Sequence, residues 1–477
     1  MIHKKDLMAF CHQSFLLKQI INIEGIFMEE RTKIKFYSGT RTIGGTVISI
    51  EYKDVRIILD FGLTVTAIGN IMKDIKGDYV RKYLDLGILP KIDGFYSDKD
   101  ISEKVNIIPL EKSRKNTKVF ISHLHLDHMH HIGLVDKSID VYMSKESLEL
   151  YNLLNNIGDK VIGDREYSAI SYDETIKFGD IHITAFKVDH DVFGAVSYIV
   201  KTPDLTAVYS GDLRLNGNHS EWTFNMLEKV SKSKVDILIL ESTNVGSIIN
   251  DTPCSKEKEL ENAEKALISK IIEEIKDEKA TVFFNIYNRN IDRIMVFHEV
   301  AKKLGRKLVL ELPTAYIAKK LLKIEDFYVI EQKELNVDKE VIDVYNNLNK
   351  LSLEDVSEGG CQYIIENSFS NILSLLDIKY EKAIYIHSNG MPLGDYDFNY
   401  NGMRNFLNRL GIDYKYIGAS GHATPCDLKY IAEKIKADWF IPIHGFYPEN
   451  LHIDSGVRFL PEEGKTYVFK DKSIGII

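Results

Sequence analysis

The sequence is poor in cysteine. Its 477 residues hold four, Cys11, Cys254, Cys361 and Cys426, far apart and in no paired motif. That spacing points away from a disulfide framework, and free thiols in a reducing cytoplasm are the expectation. Also missing is any apolar run near the ~20 residues of a membrane span. The N-terminus has Lys4, Lys5 and Asp6 but no apolar core followed by a small-residue cleavage site, so no signal peptide is expected. Basic charge is not in excess: the net charge is -9. No global field therefore attracts nucleic acid, and a polyanion would need a local groove with bound metals to hold it. There is no internal repeat and no low-complexity segment. What remains is ordinary for a soluble globular protein, 44% hydrophobic and 27% charged, with length for two or more domains.

One stretch stands out, Ile121-Ser-His-Leu-His-Leu-Asp-His128, with three histidines and an aspartate in the pattern His-x-His-x-Asp-His. The apolar run Val119 to Ile121 reads as a buried strand leading into it. His123 and His125 sit two apart just past that strand, where their side chains can converge on one ion. Asp127 and His128 follow on the turn and point to a second ion. Imidazole and carboxylate are good ligands for zinc and similar divalent metals. A histidine-rich surface turn is the competing reading. Four ligand-type residues at this spacing, directly after a strand, argue against it.

Residues 1–33 carry no assignable chemistry and read as an extension. From Ile34 the text turns strand-like, and Val55 to Leu59 ends at Asp60-Phe-Gly62. Residues 63–117 form a long mixed connection, helical from Asp74 to Leu86 and turn-rich from Pro90 to Asp100, expected to form a rim or lid. Further apolar strands end in Asp189-His190-Asp191, in Gly211-Asp212, in Glu241-Ser-Thr-Asn244 and, far downstream, in His444-Gly445. Asp60, His123, His190, Asp212, Glu241 and His444 thus each follow a separate strand. Residues at the same end of neighbouring strands line one rim of a sheet, so their joint occurrence argues for one assembled site. Asp60 reads either as a carboxylate that holds the metal-binding turn or as a plain turn aspartate.

Between these pieces strands alternate with helices. Thr281 to Phe284, the helix Ile291 to Leu304 closed by Gly305, and Lys307 to Glu311 are examples. Alternation of this kind implies a parallel α/β sheet. The expected organisation is an extension at 1–33, a metal-binding domain at 34–245, an inserted domain at 246–411 and a return at 412–477.

With these residues the sequence resembles the metallo-β-lactamase-fold nucleases that carry an inserted β-CASP domain, and within them the ribonuclease J family. The resemblance covers about 34 to 470. It rests on His123-Leu-His-Leu-Asp-His128, His190, Asp212 and Asp60, and on three further motifs. Leu240-Glu-Ser-Thr-Asn244 resembles the first β-CASP motif, Ser420-Gly-His422 the second and Ile441-Pro-Ile-His-Gly445 the third. Asn290-Ile-Asp-Arg293 and Asn389-Gly-Met-Pro-Leu393 resemble elements of the inserted domain. A histidine in the third motif is a feature of the RNA-cleaving branch. The sequence departs from the pattern at His130, where glycine is usual, and His131 follows; both read as extra helix-turn histidines outside the ligand set. The family's C-terminal dimerisation domain has no counterpart before the sequence ends, although a homodimer stays open.

The resemblance implies an α/β fold, an αββα metallo-β-lactamase sandwich with an inserted parallel α/β domain. It implies two divalent ions, zinc first and manganese as the alternative. His123, His125 and His190 would hold one, Asp127, His128 and His444 the other, and Asp212 would bridge them. Glu241 and His422 would form the acid pair that protonates the leaving oxygen. Gly421 would allow close backbone approach to a phosphate. Ser420, Ser388 and Arg293 are candidates for phosphate contacts, each with a structural role as its competing reading. Tyr287 and Phe446 are candidates for stacking on bases, with a plain core or rim role as the competing reading. The expected activity is hydrolysis of single-stranded RNA in the cytoplasm. A DNA nuclease, a small-ester metallohydrolase and a silent RNA-binding subunit are the alternatives.

Overall fold

The computed structural model describes residues 31–64, 75–247, 263–275, 279–394, 397–470 and 473–477. Almost all of the N-terminal extension and residues 65–74 of the long connection lie outside these. Six strands open the fold: β1 Lys33–Ser38, β2 Val47–Tyr52, β3 Val55–Leu59, β4 Asn116–Phe120, β5 Val141–Ser144 and β6 Ser168–Ile170. β1, β2 and β3 pair antiparallel, and β3 to β6 parallel. A second sheet follows, with β7 Thr175–Phe178, β8 Ile181–Lys187, β9 Val196–Lys201, β10 Thr206–Tyr209 and β11 Ile237–Glu241. The alternation in Ile181-His-Ile-Thr-Ala-Phe-Lys187 gives the reason for a two-faced strand. Ile181, Ile183 and Ala185 are fully buried, while the residues between them are half-buried.

The chain then builds a third sheet from β12 Thr281–Ile286, β13 Lys307–Leu310, β14 Tyr328–Ile330, β15 Asn349–Leu351, β16 Tyr363–Glu366, β17 Ala383–Ser388 and β18 Asp413–Tyr416. Every pair in it is parallel. Afterwards β19 Trp439–Ile443 and β20 Val457–Arg458 extend the second sheet, and β21 Thr466–Lys470 and β22 Ser473–Ile476 extend the first. An α/β domain is therefore inserted between β11 and β19.

Two expectations change in detail. β18 pairs with β17, so residues 413–416 belong to the third sheet and the return starts beyond the expected position 412. The sequence from Val341 to Leu351 has the spacing of one helix, but the structure has the helix Lys339–Asn346 followed by β15, whose pairing with β14 overrides local helical periodicity.

The first two sheets face each other over one core. Ile34, Ile48 and Ile57 come from one side, and Ile183, Val200 and Ile441 from the other. A second cluster joins the outer helices of this sandwich to one face of the inserted sheet, and a third fills that sheet's other face. Among the described residues no helix is long and apolar enough to cross a membrane. Cys361 is free, but Cys426 is disulfide-bonded, so the expectation of uniformly free thiols fails.

Candidate metal centre

Strand ends place the site. β4 delivers Ser122 to His128, β8 delivers Asp189 to Asp191, β10 delivers Gly211 and Asp212, β11 ends on Glu241, and β19 delivers His444. The turn of the His-x-His-x-Asp-His motif is clamped by backbone bonds from residues 45–63. Gly45 N donates to Asp127 O (2.9 Å), Phe61 N to His128 O (2.9 Å) and Leu63 N to Leu126 O (3.2 Å). Gly62 must be glycine here, because a Cβ would stand 1.6 Å from Asp127 O.

Two ligand groups result. His123, His125, His190 and Asp212 form one, and Asp127, His128 and His444 the other, with the ligand atoms of each within 4.8 Å of one another. Asp212 faces both. Its Oδ2 is 3.5 Å from His123 Nε2 and 3.1 Å from His128 Nε2, and its Oδ1 is 3.8 Å from His444 Nδ1.

The protons of the histidines are fixed from outside the cluster. Ser122 Oγ donates to Asp60 Oδ2 (2.8 Å), so it accepts from His123 Nδ1 (2.9 Å). His128 Nδ1 donates to Asp60 Oδ2 (2.7 Å). His190 Nδ1 donates to the Gly421 carbonyl (2.5 Å). Thr243 Oγ1 donates to His444 O (3.0 Å) and so accepts from His444 Nδ1 (2.8 Å). Each Nε2 is therefore left as an acceptor: His190 Nε2 meets His125 Nδ1 (3.1 Å), and His444 Nε2 accepts from Gly44 N (3.1 Å). His128 Nε2 and His444 Nε2 stand 2.9 Å apart. His123 Nε2 and both oxygens of Asp212 are buried without a hydrogen-bond partner. Such a nest of acceptors is costly unless a cation sits among them, so the residues fit divalent metal.

Ionisation agrees. Burial opposes charge on Asp127 and Asp212, yet His128 and His444 beside them hold both carboxyls below the usual range. Burial pushes His190 down to about 3, which keeps it neutral as a ligand must be. His128 shows the local demand for positive charge: burial lowers it, but Asp212, Asp127 and Asp60 raise it well above the ordinary value.

Asp60 is fully buried and accepts from four donors, namely Ser122 N (2.6 Å), Ser122 Oγ (2.8 Å), Tyr209 Oη (2.5 Å) and His128 Nδ1 (2.7 Å). It thus orients both His123 and His128. Glu241 is buried too, and accepts from Thr243 N (2.9 Å) and Ala423 N (3.2 Å). His422 Nδ1 lies 3.4 Å from Glu241 Oε1 and 3.8 Å from Asp212 Oδ2. Burial works against its protonation, but Glu241 and then Asp212 overcome this and raise it to about 9.

The other expected contacts are placed differently. Arg293 and Ser388 are fully buried and bonded to each other (2.6 Å). Arg293 also donates to Asn389 Oδ1 (2.9 Å) and Glu264 Oε1 (2.9 Å). Ser420 Oγ accepts from His422 N (3.1 Å) and Asn244 Nδ2 (3.0 Å), which shapes the loop. Gly421 packs on Asp191, whose Oδ1 would be 2.2 Å from an added Cβ. The room at Gly421 is thus taken by protein. Tyr287 lies with its ring 5.7 Å from that of His125, and Phe446 is half exposed. His131 is spent on Gly62 O (3.0 Å) and the rings of Phe61 and Tyr83, outside both ligand groups.

Some residues sequence reasoning did not single out. Arg289, from the loop after β12, donates to the Leu124 carbonyl between two ligand histidines and to Asp159 Oδ1 (2.9 Å). Arg214 joins Asp189 (3.0 Å), Glu264 (2.9 Å) and Ser420 O (3.3 Å). The inserted domain therefore touches the metal turn directly.

Residues 101–248 match the family described as the β-lactamase superfamily domain. The chain carries a metallo-β-lactamase domain. Around that domain the similarity extends further. Ribonuclease J of Mycoplasma genitalium is 23% identical over 427 residues, which span 87% of this chain and 68% of that protein. Ribonuclease J of Pyrococcus abyssi is 21% identical over 449 residues, 87% of this chain and 91% of that one. Among solved structures, a protein of unknown function from Enterococcus faecalis V583 superposes with a TM-score of 0.74 at 29% identity, covering 92% of this chain and all of that one. The metallo-β-lactamase domain thus sits in a chain whose likeness to ribonuclease J runs through the inserted domain as well.

Proposed function

We propose that this protein is a metal-dependent ribonuclease of the β-CASP type, cleaving phosphodiester bonds of single-stranded RNA in the cytoplasm. The observation that carries the reading is the pair of ligand groups sharing Asp212, with Glu241 and His422 beside them. Its support from relatives is the likeness to two ribonuclease J proteins over 87% of the chain. His123, His125 and His190 would hold one ion and Asp127, His128 and His444 the other, with Asp212 between. Two such ions, when bound, supply Lewis acidity that activates water and neutralises charge on the phosphate. The chain's own residues do the rest. Asp60 fixes the tautomers of His123 and His128, so their lone pairs face inward. Glu241 keeps His422 protonated and in place, and His422 gives its proton to the leaving oxygen. Tyr287, beside His125, offers a face on which a base can stack.

The test is incubation with 5′-labelled single-stranded RNA, with and without chelator, for wild type and His422→Ala. Metal-dependent cleavage that falls about 10²–10⁴-fold in the variant is expected, as for loss of a positioned proton donor. Mononucleotide release would mark 5′-exonuclease action, and internal fragments endonuclease action. Cleavage of single-stranded DNA alone would replace the reading with a DNA nuclease, and activity untouched by chelator would end it.

A further inference from the structure

Asp191 directly follows the ligand His190, at the end of β8. Its Oδ1 is buried and has no hydrogen-bond partner. That oxygen lies 3.4 Å from His190 Nε2 and 3.5 Å from His125 Nε2. His190 cannot satisfy it, since the ring's proton is on Nδ1 and bonded to Gly421 O. His190 Nε2 already accepts from His125 Nδ1 (3.1 Å), so two acceptors face each other there, at the spacing of two atoms bound to one ion of ~2.1 Å ligand distance. The loop 420–422 is built around this carboxylate. A Cβ at Gly421 would fall 2.2 Å from Oδ1 and 2.4 Å from Cγ of Asp191, so only glycine lets it stand where it does. Asp191 lies outside the group that closes within 4.8 Å, and approaches it from the His125–His190 side.

We propose that Asp191 is a further ligand of the ion held by His123, His125, His190 and Asp212, and that it biases this site toward a harder, higher-coordinate ion such as Mn²⁺. The proposal rests on the metal-centre reading above. Zinc sites are satisfied by four ligands. A second carboxylate on top of three imidazoles and Asp212 exceeds that number and adds the hard oxygen that manganese prefers.

The experiment uses the full chain stripped of metal by chelation. Mn²⁺ binding is followed by the electron paramagnetic resonance of free ion, and Zn²⁺ binding by competition with a chromophoric chelator. Wild type, Asp191→Asn and Gly421→Ala are compared, with circular dichroism of each metal-free protein alongside. Asp191→Asn keeps the shape and removes the charge. It should weaken Mn²⁺ at one of two sites at least about tenfold while weakening Zn²⁺ less than about threefold. Gly421→Ala keeps the carboxylate but displaces it, and should shift Mn²⁺ in the same direction. With Co²⁺ in the site, the weak visible absorption of a five- or six-coordinate ion should intensify in Asp191→Asn as coordination falls toward four. Unchanged Mn²⁺ affinity and an unchanged Co²⁺ spectrum in both variants would overturn the proposal and leave the metal centre standing. Failure of wild type to bind either ion would overturn both.

Discussion

His123, His128, His190 and His444 act as ligands because something else holds their protons. Asp60 does this for two of them, directly for His128 and through Ser122 for His123. Asp60→Asn replaces an acceptor of four hydrogen bonds by a group that must donate on one side. Metal affinity should fall about 10–100-fold, the usual cost of losing a partner behind metal ligands. Calorimetric titration of the metal-free protein checks this, and wild-type affinity in the variant would show that Asp60 merely caps a turn. His131 makes the opposite point. It is the same residue type three positions from a ligand, yet Gly62 O and two aromatic rings enclose it. Burial and then His130 push it down to about 3 from 6.5. The unfolded chain therefore binds a proton at this residue that the folded chain refuses, throughout that window. Stability from this source is intact above 6.5 and is lost as pH falls toward 3. In His131→Phe the loss of melting temperature between pH 6.5 and 4 should be shallower than in wild type, about the 6.5 and 3 limits given. Its metal content should be unchanged.

Among elements, the strands announced themselves and their termini announced the site. Apolar runs ending in histidine or aspartate are visible without coordinates, because a buried strand must be apolar and its end must turn at the sheet's rim. Hence the six strand-end residues from Asp60 to His444 were readable. What was not readable is contact that local pattern does not encode. Asp191 was visible as a neighbour of His190, but its meaning depends on Gly421, which is 230 positions away. For Arg293 and Ser388 the sequence leaves phosphate contact and a structural role both open, and the contacts that favour the structural role, Arg293 with Ser388 and with Glu264, come from remote segments. Strand β15 was hidden by helical periodicity that its parallel pairing overrules.

At the scale of the whole molecule, one carboxylate joins the two domains. Glu264 Oε1 accepts from Arg214 Nη1, on the chain just past Asp212, and from Arg293 Nη2, in the inserted domain, each at 2.9 Å. All three side chains are fully buried. Glu264→Ala would leave the buried Arg293 without its carboxylate partner and Arg214 with Asp189 and Asp292 alone, a loss of about 3–5 kcal/mol. Urea unfolding should register it, and a loss within about 0.5 kcal/mol, the range of a surface change, would contradict the network's importance. Through Arg214 the same network reaches Asp189 and the Ser420 carbonyl, so the placement of His190 and His422 is tied to the seating of the inserted domain.

The central claim is a pair of ions sharing Asp212 within this crevice. Crystals grown with Mn²⁺ and measured at its absorption edge test it most directly. Two anomalous peaks are predicted, one among His123, His125 and His190 and the other among Asp127, His128 and His444, with Asp212 touching both. A single peak elsewhere, or none, would contradict the account.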